Sequence, residues 1–153
     1  VTGVQTCALP ILCIGGKSVG AKIAAHLGSA PEQQQDKGSC IVVMATDLPL
    51  CARQLERVVK RASVGLARLG SYIGHGSGEV FLGFSTTNRV PHESARAVLL
   101  CTVLHEGRID AVFRAMGEAT EEAVLRAMLC ADTVTGFDGS TKYTIRNFVS
   151  QIY

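Results

Sequence analysis

The chain has 153 residues, enough for one domain with its own core. Hydrophobic residues make up 47% of it and charged residues 18%, a balance that excludes a disordered tail. A net charge of +2 is too small to imply a nucleic-acid partner, and no apolar run approaches the ~20 residues of a membrane helix.

Trp is absent and aromatic residues are few, so the core must come from Val, Leu, Ile, Ala and Met. The six cysteines (Cys7, Cys13, Cys40, Cys51, Cys101, Cys130) form no C-x-x-C pair, and several sit in apolar stretches. A free thiol there behaves as a small hydrophobe. The pattern favours a reducing compartment, the cytoplasm, with the periplasm as alternative.

Val1 to Ile11, "VTGVQTCALPI", resembles a translated sequencing-adapter remnant and lacks the basic start and long apolar centre of a signal peptide. It is set aside from the fold, and the remainder is read as a fragment of a longer protein. Val19, Ile23, Ala24 and Leu27 have helical spacing, with Gly28 as the stop. Residues 29–38 are a polar, exposed linker. Residues 40–46 form a short Val/Ile-rich run, predicted as a strand buried on both faces and broken by Asp47-Leu48-Pro49.

From Cys51 to Leu69 the pattern is helical. Leu55, Val58, Val59, Ala62 and Leu66 make the apolar stripe, while Arg53, Arg57, Lys60, Arg61 and Arg68 mostly take the other side. Gly70 ends it. "SYIGHGSG" (71–78) is a glycine-dense loop, and 79–85 alternates like a strand, with Val80, Leu82 and Phe84 on one face. Residues 86–94 read as a loop and 98–104 as another strand. Residues 108–131 are helical again, either as two helices or as one kinked at Gly117, which costs about 1 kcal/mol relative to Ala. A turn at 133–140 and a short edge strand close the chain. The predicted class is a layered α/β sandwich, with antiparallel pairing around the glycine-rich loop.

Metal chemistry has little support. His26, His75, His92 and His105 are scattered, and no ligand-spaced motif occurs. "GHGSGE" is neither G-x-G-x-x-G nor a P-loop. It reads as a turn, or as a loop whose bare N–H groups at Gly76 and Gly78 approach a reacting centre. The basic helix reads as a solvated face rather than a polyanion site.

Ser39 stands apart. A serine opening a strand is ordinarily a turn residue. Here Gly38 leaves the preceding carbonyl open to attack by the Ser39 hydroxyl, and a flexible polar linker lies upstream. An N-to-O acyl shift at Gly38-Ser39 would make Ser39 a chain end. Its α-amine, titrating near ~8, would then act as general base for its own hydroxyl.

"KGSCIVVMATDLPL", "QLERVVKRASVGLARLGS", "GHGSGEVFLGFSTTNR" and "FRAMGEATEEAVLRAMLCADTVTGFDG" together resemble the DmpA-type L-aminopeptidase/D-esterase and β-peptidyl aminopeptidase family, from Val19 to Gly139. The resemblance implies an αββα sandwich shared with ornithine acetyltransferases, autocleavage at Gly38-Ser39, and a catalytic set of Ser39, Ser77 and Glu79 without metal or cofactor. Residues 12–38 would end the N-terminal (α) subunit and residues 39–153 form the C-terminal (β) subunit. The reaction implied is release of N-terminal residues from small peptides, amides or esters through an acyl-enzyme, by homo-oligomers of processed heterodimers. Most of the N-terminal subunit, which supplies oxyanion and pocket groups, is missing, so the chain alone is expected to be poorly active. The alternatives are an ornithine acetyltransferase-like acyltransferase and, in a different class, a non-catalytic module built around the basic helix.

Overall fold

The computed structural model describes residues 11–26, 39–139, 141–148 and 150. A tight hairpin opens it, β1 (Cys13–Ile14) against β2 (Lys17–Ser18). Its two-residue turn is Gly15-Gly16, with φ of 58° and 76°, the positive values that a short hairpin turn of matching twist demands. Helix α1 (Gly20–His26) follows and buries Ile23. The predicted stop at Gly28 and the linker at 29–38 lie outside the described residues.

Strand β3 (Ile41–Thr46) leads to helices α2 (Ala52–Val59) and α3 (Ala62–Arg68), and the chain returns as β4 (Val80–Ser85). The predicted 51–69 helix is therefore two. Its backbone tightens at the junction, where the Arg61 N–H bonds the Val58 carbonyl at 2.9 Å.

β3 and β4 pair in parallel, Ile41 opposite Val80 through Thr46 opposite Ser85. This corrects the expected antiparallel pairing. Two helices intervene between the strands, and a helical crossover is what returns a chain in parallel. The glycine-rich loop joins α3 to β4 and is no hairpin.

A short 3₁₀ turn (Glu106–Arg108) opens the long helix α4 (Ile109–Cys130), which runs unbroken through Gly117. A second small hairpin, β5 (Val134–Thr135) with β6 (Thr141–Lys142), precedes a 3₁₀ turn at Ile145–Phe148.

The run 98–104 is not a strand. Val98 and Leu100 are exposed. The segment is held at Thr102, whose N–H and carbonyl are bracketed by the Asn88 side chain at 3.0 and 2.8 Å, and at Leu104, whose N–H bonds the Pro49 carbonyl at 2.7 Å. Its β-forming composition finds no strand beside it among the described residues.

Two apolar clusters hold the elements together. Leu12, Val19, Ile23, Leu69, Met128, Ile145 and Phe148 tie both ends of the described chain to α3 and α4. Leu50, Val58, Ala62, Ile109 and Met116 pack beneath the sheet, joined by its inward residues Val42, Met44 and Phe81. The expectation of a strand buried on both faces is corrected here. The outward residues Ile41, Val43, Val80, Leu82 and Phe84 are 47% to 70% exposed. The alternation of β4 thus points its larger stripe away from the helices. A sheet covered by helices on one face and apolar on the other has the pattern of an inner layer of a sandwich.

The basic helices are neutralised within the fold. Arg53 and Arg57 pair with Glu106, Lys60 with Glu56, and Arg68 with Glu121. Arg61 lies over the Phe113 ring, 4.1 Å from its centroid. Little free positive charge is left for a polyanion. Gln54, fully buried, locks the same corner. Its amide donates to the Leu104 carbonyl at 2.7 Å and to Glu106 at 2.8 Å, and its oxygen accepts from the Cys51 N–H.

Candidate active site

The parallel register builds the site. Continued two residues back from Ile41 and Val80, it sets Ser39 opposite Gly78. The Val80 N–H bonds the Cys40 carbonyl at 3.0 Å, so the ladder does extend in that direction. At its end the Gly78 N–H donates to Ser39 Oγ at 3.3 Å. A side-chain Cβ at Gly78 would stand 3.6 Å from Ser39 Oγ, in van der Waals contact with it.

Ser77 and Glu79 flank Gly78. Alternate residues of an extended segment project to one side, and the Ser77 hydroxyl bonds Glu79 Oε1. The other carboxylate oxygen, Oε2, is buried and has no hydrogen-bond partner among the described residues. A buried acceptor is costly unless a donor meets it, and a cationic donor meets it best.

Cys40, the residue after Ser39, is half-buried. Burial pushes its thiol above the usual range, and the Glu79 carboxylate pushes the same way. A thiol so placed stays protonated and is a poor rival to the serine hydroxyl. Sequence reading did not single out Cys40. The signal was its position: a residue between a candidate nucleophile and a paired strand must lie against that strand's own site residues.

The loop 70–79 is shaped by turns. Gly70 has φ of 96°, and any Cβ there would run into the Ile11 carbonyl. The Ser77 N–H bonds the Gly74 carbonyl at 2.9 Å, closing a turn with His75 and Gly76 at its tip. Gly76 therefore serves the turn, while Gly78 meets Ser39. Gly38 lies outside the described residues.

No group of three or more His, Cys, Asp or Glu side chains capable of holding a metal occurs among the described residues. His105 is engaged otherwise, accepting the Gly107 N–H at 3.1 Å. The five described cysteines are free. No helix of the described residues is long and apolar enough to cross a membrane.

Ser39 at the start of a helix-backed sheet thus faces a serine–glutamate loop, and the α/β layers around them are shared with solved structures of the N-terminal-nucleophile hydrolase fold. The L-aminopeptidase D-Ala-esterase/amidase from Ochrobactrum anthropi, described as a prototype for the serine aminopeptidases and a variant among that fold, superposes with a TM-score of 0.73 at 31% identity, covering 95% of this chain and 41% of its own. The PH0078 protein from Pyrococcus horikoshii OT3 superposes with a TM-score of 0.81 at 38% identity, covering 94% of this chain and 38% of that one.

The model for peptidase family S58 matches residues 4–142, and the chain belongs to that family. Among curated relatives, the beta-peptidyl aminopeptidase BapA of Sphingosinicella microcystinivorans is 40% identical over 104 residues. The match covers 68% of this chain and 26% of that protein, so the chain spans about a quarter of its relative's length.

Proposed function

We propose that the chain carries the nucleophile half of a self-processing N-terminal-serine aminopeptidase. The observation that carries this reading is the Gly78 N–H on Ser39 Oγ, with the Ser77–Glu79 pair on either side of it.

Two stages follow. First, Ser39 Oγ attacks the Gly38 carbonyl carbon, the Gly38–Ser39 C–N bond breaks, and the hydroxyl proton passes to the Ser39 nitrogen. Water then hydrolyses the resulting ester. Residues 12–38 become the end of one subunit, and residues 39–153 become the other. Second, the new Ser39 amine takes the Oγ proton as Oγ attacks a substrate carbonyl. The leaving amine takes a proton, and water releases the acyl group from Ser39.

In this reading Glu79 Oε2 accepts from the protonated amine and fixes its direction, as a third group orients the base of a catalytic triad. Ser77 holds Glu79 in place. The Gly78 N–H stabilises negative charge growing on Oγ. Substrates are small peptides, amides or esters with a free N-terminal residue, and the processed subunits assemble as homo-oligomers of heterodimers. The five described cysteines, all free, suit a reducing compartment, the cytoplasm.

The test is release of p-nitroaniline from aminoacyl p-nitroanilides. Turnover by the purified chain, slow beside a full-length relative, that disappears in Ser39→Ala supports the reading. Measurable turnover that Ser39→Ala retains overturns it.

A further inference from the structure

Scission between residues 38 and 39 would turn every contact across that bond into a contact between two chains. Among the described residues those contacts gather in one place. Leu12, Val19 and Ile23, all upstream of the bond, are 1%, 1% and 0% exposed. They pack with Leu69 at the end of α3, Met128 on α4, and Ile145 and Phe148 in the closing 3₁₀ turn, all downstream of it.

The upstream segment brings its own shape. The β1–β2 hairpin returns the chain, and the Val19 and Gly20 N–H groups both bond the Leu12 carbonyl at 2.9 Å. Leu12 is thereby held beside the start of α1, with Lys17 and Ser18 left exposed on the hairpin. The backbone adds a bond of its own across the seam. The Cys13 N–H donates to the Leu69 carbonyl at 2.9 Å, at a helix end where carbonyls lack partners within the helix. The His26 ring meets Phe148 edge-on, with centroids 6.1 Å apart. No ion pair among the described residues crosses the seam, since each joins two groups within residues 39–153. Apolar burial of this kind is not screened by salt.

We propose that residues 12–26 are a clamp that keeps the upstream product on the nucleophile subunit after scission. Leu12, Val19 and Ile23 are its plug, and the surface around Leu69, Met128 and Phe148 is its socket. The clamp ends with α1, short of Gly38, so scission leaves the whole plug on one product and the whole socket on the other. The inference rests on the reading of Gly38–Ser39 as the cut bond, and its test imposes the cut by other means.

Ser39→Ala is given the recognition sequence of a site-specific protease within residues 29–38 and is cut there. Size exclusion at about 0.1 M and about 1 M NaCl, with the mass of each peak, shows whether the two pieces travel together. Both pieces in one peak at both salt concentrations is the expected result. Ile23→Ala is expected to raise the dissociation constant of the short piece at least about thirtyfold. Val58→Ala, which truncates the separate cluster beneath the sheet, is expected to leave it within about twofold. The short piece eluting alone from the cut parent, at either salt concentration, overturns the proposal. So does Val58→Ala loosening the pair as much as Ile23→Ala, which marks general destabilisation. If Ser39 leaves the chain uncut while the imposed pieces stay together, the processing reading has failed and the clamp stands. If Ser39 cuts the chain and the pieces part, the clamp has failed and the processing reading stands.

Discussion

At the scale of single residues, Ser39 stood out by its place after Gly38 at a strand start, while Ser77 and Glu79 were named only through the resemblance of the glycine-rich loop to a family motif. What spacing does not carry is who faces whom. The pairing of Ser39 with Gly78 follows from a strand register that the sequence does not announce. Glu106 shows the same limit. Nothing in "LHEGR" tells that one carboxylate gathers Gln54, Arg53 and Arg57. The Gln54 hydrogen bond, followed by those of the two arginines, holds the Glu106 carboxyl below its ordinary value. A lowered folded-state pKa stabilises the fold fully above the unfolded value, about 4.3, and that contribution is lost as pH falls through the lowered one. Glu106→Gln should therefore melt below the wild type at neutral pH. It should also lose less further stability on acidification below about pH 4.3. Thermal melts across that range check both.

At the scale of elements, the helices were legible and the strands only partly so. Apolar periodicity marks which stretches coil, but the direction of β4 is set by the two helices before it, and 98–104 has strand composition without a strand neighbour. Helix contacts give a sharper prediction. A Cβ at Gly65 would run into the Gly117 carbonyl and stand 2.7 Å from Thr120 Cβ, so α3 and α4 touch there backbone to backbone. A Cβ at Gly117 would meet nothing nearer than 3.8 Å. Gly65→Ala should cost roughly 1–3 kcal/mol by overpacking. Gly117→Ala, in a helix interior with room to spare, should stabilise by up to about 1 kcal/mol. Urea unfolding of the two variants should move the midpoint in opposite directions.

At the scale of the whole molecule, the outward face of the β3–β4 sheet is the plainest sign of what the described chain does not hold. An exposed apolar sheet face suits an inner layer of a sandwich. The reading that oxyanion and pocket groups come from elsewhere in the protein predicts weak turnover. Losing one such donor costs ~10²–10³ in rate, so the chain should hydrolyse p-nitroanilides at least that much more slowly than a full-length relative, compared as kcat under matched conditions. Equal rates would place a complete site within these residues.

Self-cleavage makes a smaller demand, because its acceptor carbonyl is already joined to Ser39 and needs no substrate pocket. Intact mass of the purified chain beside Ser39→Ala therefore tests the central claim most directly. Two species, residues 1–38 and residues 39–153, formed only when Ser39 is present, are the predicted result. A single uncut mass from both proteins would contradict the assignment of Ser39 as the nucleophile that frees its own amine.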